Sequence, residues 1–290
     1  MLLTAPWPLH TEEKARHSFL GQQLKTPGNV EVQGTPESGD SMTQRSFDRG
    51  QSFQLSDNLL LAGIEASVAQ LLQRRGEIVD LKRGRVLYEP EAKLTFCYFP
   101  LSCVISLVAV LDSDQSAEVA VFGPESAVAY IGAMFGAEAF GRYVVQVSGR
   151  AFRLPMRGLQ EVMENDPELE RRLRAFSIAF TRQTFQLVAC NACHPVEQRC
   201  CKWLLTMADK AQTSAVPITH DHLAEMLGVQ RSTVSIVMKE LQSAGLVEQQ
   251  RGCIRILDRQ RMKRCSCECY EKAKVTFQQW LPGAYPDLSL

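Results

Sequence analysis

The sequence lacks a long apolar run and an excess of charge of either sign. None of its stretches approaches the roughly 20 consecutive apolar residues of a membrane-spanning helix. The apolar segment of a secretory signal peptide is also missing, because Leu2 and Leu3 are followed at once by Pro6 and Pro8. The 32 Lys and Arg residues balance 32 Asp and Glu residues, which excludes a generic binder of polyanions. We therefore expect a cytoplasmic protein with no membrane partner.

Recognisable catalytic motifs are absent as well. The sequence has no Ser-His-Asp set, no phosphate-binding glycine loop and no paired carboxylates. Cys193 and His194 could suggest a thiol nucleophile and its base, but adjacent residues on a helix do not face one another. The sequence therefore indicates a protein that is not an enzyme and has no catalytic residues. A thiol-dependent enzyme is the alternative that this pair leaves open.

The N-terminal half divides into a tail and a β-rich domain. Residues 1–52 are rich in Pro, Gly, Gln, Ser and Thr, so we expect a disordered tail. Residues 53–164 are predicted to form a sensory domain, a small antiparallel β-roll. A helical stretch at 58–74 precedes its strands, and a short helix at 126–135 interrupts them. The strand-like runs lie at 78–81, 86–88, 96–99, 104–111, 118–122, 144–147 and 151–154.

A long helix is predicted at 165–193. Asp166 suits its N-cap and Pro167 its first helical position. An apolar stripe with heptad-like spacing predicts that this helix pairs with a second copy in a homodimer. Burial against the chain's own β-roll is the alternative. The stripe consists of Leu169, Leu173, Phe176, Phe180 and Leu187, with Thr184 in its gap.

Residues 194–258 carry the pattern of a winged helix-turn-helix. Two short helical patterns are separated by Gly228, which can adopt the positive φ of a sharp turn, and a hairpin pattern follows. Such a unit usually places its second helix in the DNA major groove. Within 220–264, eight basic residues exceed five acidic ones, a bias that suits contact with phosphates. Residues 259–290 are predicted to form a C-terminal helix, continuing to Trp280, and a tail.

The order of β-roll, long helix and winged helix-turn-helix resembles the Crp/Fnr superfamily of bacterial transcription regulators. The most specific likeness lies in residues 194–199, in Trp203 and in the string Cys267-Glu268-Cys269-Tyr270. The resemblance implies an α+β fold with a cyclic-nucleotide-binding-like β-roll, a dimerisation helix and a C-terminal DNA-binding domain. It also implies a homodimeric, sequence-specific regulator that binds double-stranded DNA.

The second helix of the DNA-binding unit presents one outward face. By the resemblance, Arg231, Ser232 and Ser235 read bases and Thr233 lies near a phosphate; Lys239 shares the outward face. A bidentate contact of Arg231 with guanine is chemically reasonable. Two positions depart from the superfamily, since Ser232 replaces a common glutamate and a second arginine is replaced by an isoleucine. That residue, which could meet a thymine methyl, is Ile236.

The sensory half departs further from the superfamily. Gly123-Pro124-Glu125 and Arg142-Tyr143 stand where the cyclic-nucleotide branch has its phosphate cassette. By the resemblance, Glu125 could meet a ribose hydroxyl and Arg142 an anion, although Tyr143 replaces the serine donor. The clustered N-terminal cysteines of the iron–sulfur branch are absent. We therefore expect no resident cofactor and an unidentified effector, with a cyclic nucleotide as the alternative.

Cysteine is dense at two places in the chain. A reducing cytoplasm disfavours disulfides, so we expect free thiols that pack as small apolar residues and hold no metal. The alternative is a thiol- or metal-responsive regulator whose C-terminal segment folds back on the hinge after the long helix. In an intact helix Cys267 and Cys269 would lie on opposite sides, which argues against joint ligation. The two groups are Cys190, Cys193, His194, Cys200 and Cys201 at the hinge, and Cys265, Cys267 and Cys269 near the end.

Two substitutions separate base reading from phosphate binding. We expect Arg231→Ala to abolish discrimination at one base position, because a bidentate pair is worth about 1–3 kcal/mol. We expect Lys239→Ala to weaken binding to all sequences alike, because a phosphate contact carries no sequence information. Affinities for selected and random DNA are compared for each variant. Equal losses of Arg231→Ala on both DNAs would contradict the assignment.

Overall fold

The computed structural model describes residues 54–111 and 115–282. The predicted disordered tail at 1–52 and nearly all of the predicted C-terminal tail lie outside these residues.

A 3-10 turn, Leu55–Asp57, and helix α1, Ala66–Arg75, precede the β-roll. All seven predicted strands are confirmed, with bounds shifted by two residues at most: β1 Glu77–Leu81, β2 Val86–Tyr88, β3 Phe96–Pro100, β4 Val104–Val110, β5 Ser116–Phe122, β6 Arg142–Val147 and β7 Gly149–Pro155.

The β-roll is made of two antiparallel sheets. Their strand orders are β1-β7-β3 and β2-β6-β4-β5. Their buried faces share a core that includes Phe99 and Phe152. Helix α2, Tyr130–Met134, is shorter than the predicted stretch, and helix α3, Met156–Asn165, was not predicted. Both pack on strand β3, so they close one side of the roll.

Helix α4, Pro167–Cys193, begins as predicted. Asp166 is its N-cap and accepts a hydrogen bond of 3.0 Å from the backbone N–H of Glu168. The first half of its apolar stripe follows the predicted alternative, burial against the chain's own β-roll. Leu169, Leu173 and Phe176 are fully buried in the core of that roll. These three side chains therefore cover the open side of the roll and are not available to a second copy of α4.

The remaining members of that stripe lie nearer the hinge and are partly buried. Phe180 stacks on Phe122 of β5 with ring centroids 5.3 Å apart. A different face of α4 is exposed among the residues that the structure describes. Its large apolar residues are Ile178, Phe185 and Val188, which are 42%, 70% and 66% exposed.

The C-terminal half contains the predicted winged helix-turn-helix. Gly228 forms the turn between its two central helices with φ +63°. One strand of the wing sheet, β8, lies in a segment predicted to be a loop, and the sheet order is β8-β10-β9. The elements are α5 Val196–Ala211, β8 Ala215–Val216, α6 His220–Leu227, α7 Arg231–Ser243, β9 Val247–Gln250, β10 Cys253–Ile256, α8 Arg259–Cys265 and α9 Cys269–Trp280.

The predicted single C-terminal helix is in fact two helices. The chain leaves helical geometry after Cys265, where Ser266 caps α8 in an extended conformation, and re-enters it at Cys269. Helix α9 then packs along α4, and its Phe277 is buried in the core of the β-roll. None of the helices in the described ranges is long and apolar enough to cross a membrane.

Candidate nucleic-acid interface

Helix α7 presents the outward face that its periodicity predicts. Its inner side chains Val234, Val237 and Met238 are buried in the core of the helix-turn-helix domain. On the other side, Arg231, Ser232, Ile236 and Lys239 are all exposed. Ile236 is 61% exposed, so its side chain is accessible on this face.

Arg231 lies at the start of this face, at the first position of α7. Its Nε is 3.2 Å from Oδ1 of Asp221 on α6. Both side chains are about two-thirds exposed, so the pair contributes little to stability. Its main effect is to orient the guanidinium along the exposed face of the helix.

A side-chain network that the sequence did not reveal anchors Ser235. The Ser235 hydroxyl lies 3.1 Å from Nδ1 of His220, and Nε2 of His220 lies 2.7 Å from Oε1 of Gln249 on the wing. Gln249 in turn donates to the carbonyl of Met238, at 3.1 Å. Ser235 and Thr233 are half-buried. Ser235 thus ties the helix to the wing, and it is less available for bases than predicted.

The turn of the helix-turn-helix rests against strand β5 of the β-roll. The Ser116 hydroxyl donates to Oε1 of Glu225 on α6, at 2.9 Å. A Cβ placed on Gly228 would meet the Ala117 side chain at 3.3 Å, a close contact for a carbon pair. The β-roll therefore contacts the helix that leads into α7.

A buried carboxyl group links the two halves beside this contact. Glu118 of β5 accepts hydrogen bonds from the Ser106 hydroxyl, at 2.6 Å, and from the Trp203 indole N–H on α5, at 2.8 Å. Burial raises the pKa of Glu118 to about 7, because the charged form loses its hydration. The carboxyl group is therefore half-protonated near neutral pH.

The structure places Glu125, predicted to meet an effector, in a contact between the two halves. Its carboxylate forms an ion pair with the ammonium of Lys210 on α5, and both side chains are almost fully buried. The Ser126 hydroxyl also donates to Glu125, at 3.0 Å. Glu125 therefore links the β-roll to the DNA-binding domain. Arg142 lies elsewhere, in an exposed pair with Glu89 at 2.9 Å.

The β-roll and α4 line a half-open cavity of about 420 Å³. Neither Glu125 nor Arg142 lines it. Apolar and aromatic side chains form most of its wall, and Tyr143 stands at the position of the missing serine donor. Prominent lining residues are Leu107, Ala120, Phe122, Tyr143, Phe180 and Thr184.

The cysteines of the two predicted groups have different surroundings. Cys200 and Cys201 are buried in the helix-turn-helix core, and burial raises the pKa of Cys201 to about 12. Cys193 and Cys265 are exposed. Cys190, Cys267 and Cys269 meet in a separate buried cluster. The argument against joint participation of Cys267 and Cys269 is wrong, because the chain is not helical between α8 and α9.

Solved structures of regulators share this fold. The chain is similar to the c-di-GMP responsive global regulator CLP of Xanthomonas campestris, with 14% identity and a TM-score of 0.57 over 67% of this chain and 100% of that one. It is also similar to a CRP/FNR family transcriptional regulator from Thermus thermophilus, with 23% identity and a TM-score of 0.55 over 66% and 98%. FixK2 of Bradyrhizobium japonicum is 14% identical, with a TM-score of 0.55 over 66% of this chain and 98% of that one. No curated protein sequence shows a significant match.

The sequence of the C-terminal half gives the family of its domain. Residues 198–265 match the Crp-like helix-turn-helix domain. This part of the chain is therefore a Crp-like helix-turn-helix domain, and the chain shares the fold of the regulators named above. Helix-turn-helix domains bind double-stranded DNA, which supports the predicted DNA partner. The predicted α+β fold with a β-roll and a winged helix-turn-helix is confirmed.

Replacing Glu118 tests the buried carboxyl group. Its pKa rises from an ordinary 4.5 to about 7 in the folded protein, so folding loses stability as the pH rises through this window. In the Glu118→Gln variant the amide can keep a hydrogen bond to each partner, but it does not titrate. We expect Glu118→Gln to be more stable than the original protein by about 3 kcal/mol above pH 7, and the gain to vanish below pH 4.5.

Urea unfolding at pH 4.5 and pH 8 measures this difference. Glu271→Gln is the control, because Glu271 is exposed on α9 and pairs only loosely with Lys263, at 3.9 Å. An equal effect of Glu118→Gln at both pH values would show that the carboxyl group does not titrate in this range.

Proposed function

We propose that this Crp/Fnr-type regulator binds a specific, two-fold-related DNA site as a homodimer. The observation that carries the proposal is the exposed face of α7, which lies beside the wing and is not covered by the β-roll. In helix-turn-helix proteins the corresponding helix enters the major groove, and dimers meet two half-sites about one helical turn apart.

The chemistry of this face favours few base contacts. Arg231 is placed to contact guanine, and Ile236 to contact a thymine methyl. Ser232 is exposed beside them, and Lys239 is placed to contact a phosphate. Thr233 and Ser235 are half-buried, so we assign them to phosphate contact and to positioning the helix. Contact with DNA would also cover the exposed Ile236.

We assign dimerisation to the outer face of α4. Ile178 and Phe185 are seven residues apart, and Thr181 and Val188 repeat this interval, so the four side chains form one stripe. Three of them are large and apolar, and the stripe is exposed in the single chain. A second copy of α4 would bury it, and would bring two α7 helices to one DNA duplex.

A charge in this stripe tests the dimer. We expect Phe185→Glu to convert the protein to monomers, because it places two carboxylates opposite one another in an apolar contact. Arg182→Glu, on the same turn of α4 but outside the stripe, is the control. Analytical ultracentrifugation gives the mass, and selection from a random DNA pool gives the site. A dimeric Phe185→Glu protein, or selected sites without two-fold symmetry, would contradict the proposal.

The sensed signal is assigned to the cavity behind α4. Its wall offers aromatic and aliphatic surface and few polar groups, which suits a small apolar molecule better than a nucleotide. The two side chains predicted to hold a cyclic nucleotide are engaged by Lys210 and Glu89 instead. A ligand in this cavity would contact Phe180 of α4 and Ala120 of β5. Helix α4 carries the proposed dimerisation stripe, and the helix-turn-helix rests against β5.

Calorimetric titration distinguishes the two ligand classes. We expect indole, as a small aromatic probe, to bind and cyclic AMP not to bind. Ala120→Phe should abolish binding of indole, since it fills the cavity, whereas Arg142→Ala should leave it unchanged. Cyclic AMP binding that Arg142→Ala removes would restore the nucleotide alternative and overturn the proposal.

A further inference from the structure

Four potential metal ligands meet at the hinge between the two halves. Cys190 lies in the last turn of α4, and His194 is the C-cap of the same helix. Cys267 lies in the break between α8 and α9, and Cys269 is the first residue of α9. Their ligand atoms all lie within 4.8 Å of one another. Two segments that are far apart in the sequence thus converge on one small volume.

The distances between these atoms fit the edges of a zinc tetrahedron. With Zn–S near 2.3 Å and Zn–N near 2.0 Å, two sulfurs lie about 3.8 Å apart, and a sulfur and a nitrogen about 3.6 Å apart. In the structure, Sγ of Cys190 is 3.6 Å from Sγ of Cys267. Sγ of Cys269 is 3.5 Å from Nδ1 of His194. The ligand atoms therefore need little movement to coordinate one ion.

Outer groups already orient two of the ligands. Nε2 of His194 lies 3.2 Å from a carboxylate oxygen of Glu268, which leaves Nδ1 directed toward the sulfurs. A carboxylate behind a histidine is the usual support for a metal-bound imidazole. The Gln186 amide donates to Sγ of Cys269, at 3.0 Å. Such a donor offsets part of the negative charge that a thiolate carries.

The packing of these thiols differs from that of ordinary buried cysteines. Cys200 and Cys201 belong to the large core of the helix-turn-helix domain, together with many aliphatic residues. Cys190, Cys267 and Cys269 are 0%, 3% and 3% exposed and form a cluster that contains only the three of them. Apolar packing alone does not account for three sulfurs that contact one another and an imidazole.

We propose that Cys190, His194, Cys267 and Cys269 bind one Zn²⁺ ion as a closed Cys₃His site. All four positions of a tetrahedron are filled by protein, which is the arrangement of a structural zinc site and leaves no place for catalysis. Binding would release the thiol protons to solvent as the three thiolates form. The ion would fasten α9 to the hinge, independently of the DNA proposal.

Metal content of the full chain is the first test. Protein produced in zinc-supplemented medium and desalted under reducing conditions should contain one zinc per chain, and Cys190→Ser and Cys267→Ser should contain none. Cys193→Ser and Cys265→Ser are matched controls, because these cysteines are exposed and outside the cluster. Co²⁺ added to the metal-free protein should show tetrahedral absorption with thiolate charge transfer. Zinc-free protein with no cobalt spectrum overturns the proposal, as does a Cys190–Cys267 disulfide.

A second measurement does not depend on removing a ligand. Glu268→Gln should weaken Zn²⁺ binding by about 10- to 100-fold in competition with a chelator, because it removes the support of His194. Glu271→Gln, on the exposed side of α9, should leave affinity unchanged. A chelator should lower the Tm of the original protein, and added Zn²⁺ should restore it. Equal zinc affinity of both variants, or a Tm that the chelator does not change, would contradict this site.

Discussion

A buried ion pair joins the β-roll to the DNA-binding domain of this protein. Glu125 lies just beyond the end of strand β5, and Lys210 lies in the last turn of the first helix of the DNA-binding domain. Such a pair adds little net stability, but either charge alone in the same place would be very costly. The same side of the β-roll also contacts Trp203 through Glu118 and the turn at Gly228 through β5, so the β-roll fixes where the exposed face of α7 points.

The two faces of helix α4 have different surroundings. Its inner face is a wall of the β-roll, where Phe176 and Phe180 border the cavity. Its outer face carries the apolar stripe that we assign to a second copy. On the proposed assignments, a molecule in the cavity would press on the inner face of α4. The path from that ligand to the spacing of two DNA-binding domains would then be a single helix.

Local patterns in the sequence predicted the elements well, whereas contacts between distant residues were predicted poorly. Strands of alternating or β-branched residues, the Asp166 cap and the turn at Gly228 each depend on neighbours in the chain. The face of α4 that is buried depends on what packs there, and the heptad-like stripe suited the β-roll as well as a partner helix. The ion pair of Glu125 with Lys210 could not be predicted, because Lys210 is distant in sequence. His220 and Gln249 gave no signal, since their network exists only after the wing folds against α7.

The position of Phe277 has a consequence for how the protein is made. This residue of α9 is part of the core of the β-roll, and its ring lies 5.8 Å from the ammonium of Lys210. A ribosome delivers the strands of the roll well before it delivers α9. Part of the core of the roll therefore stays exposed until α9 has been made. The two halves reach their final state together, and a chain truncated before α9 would be a substrate for chaperones and proteases.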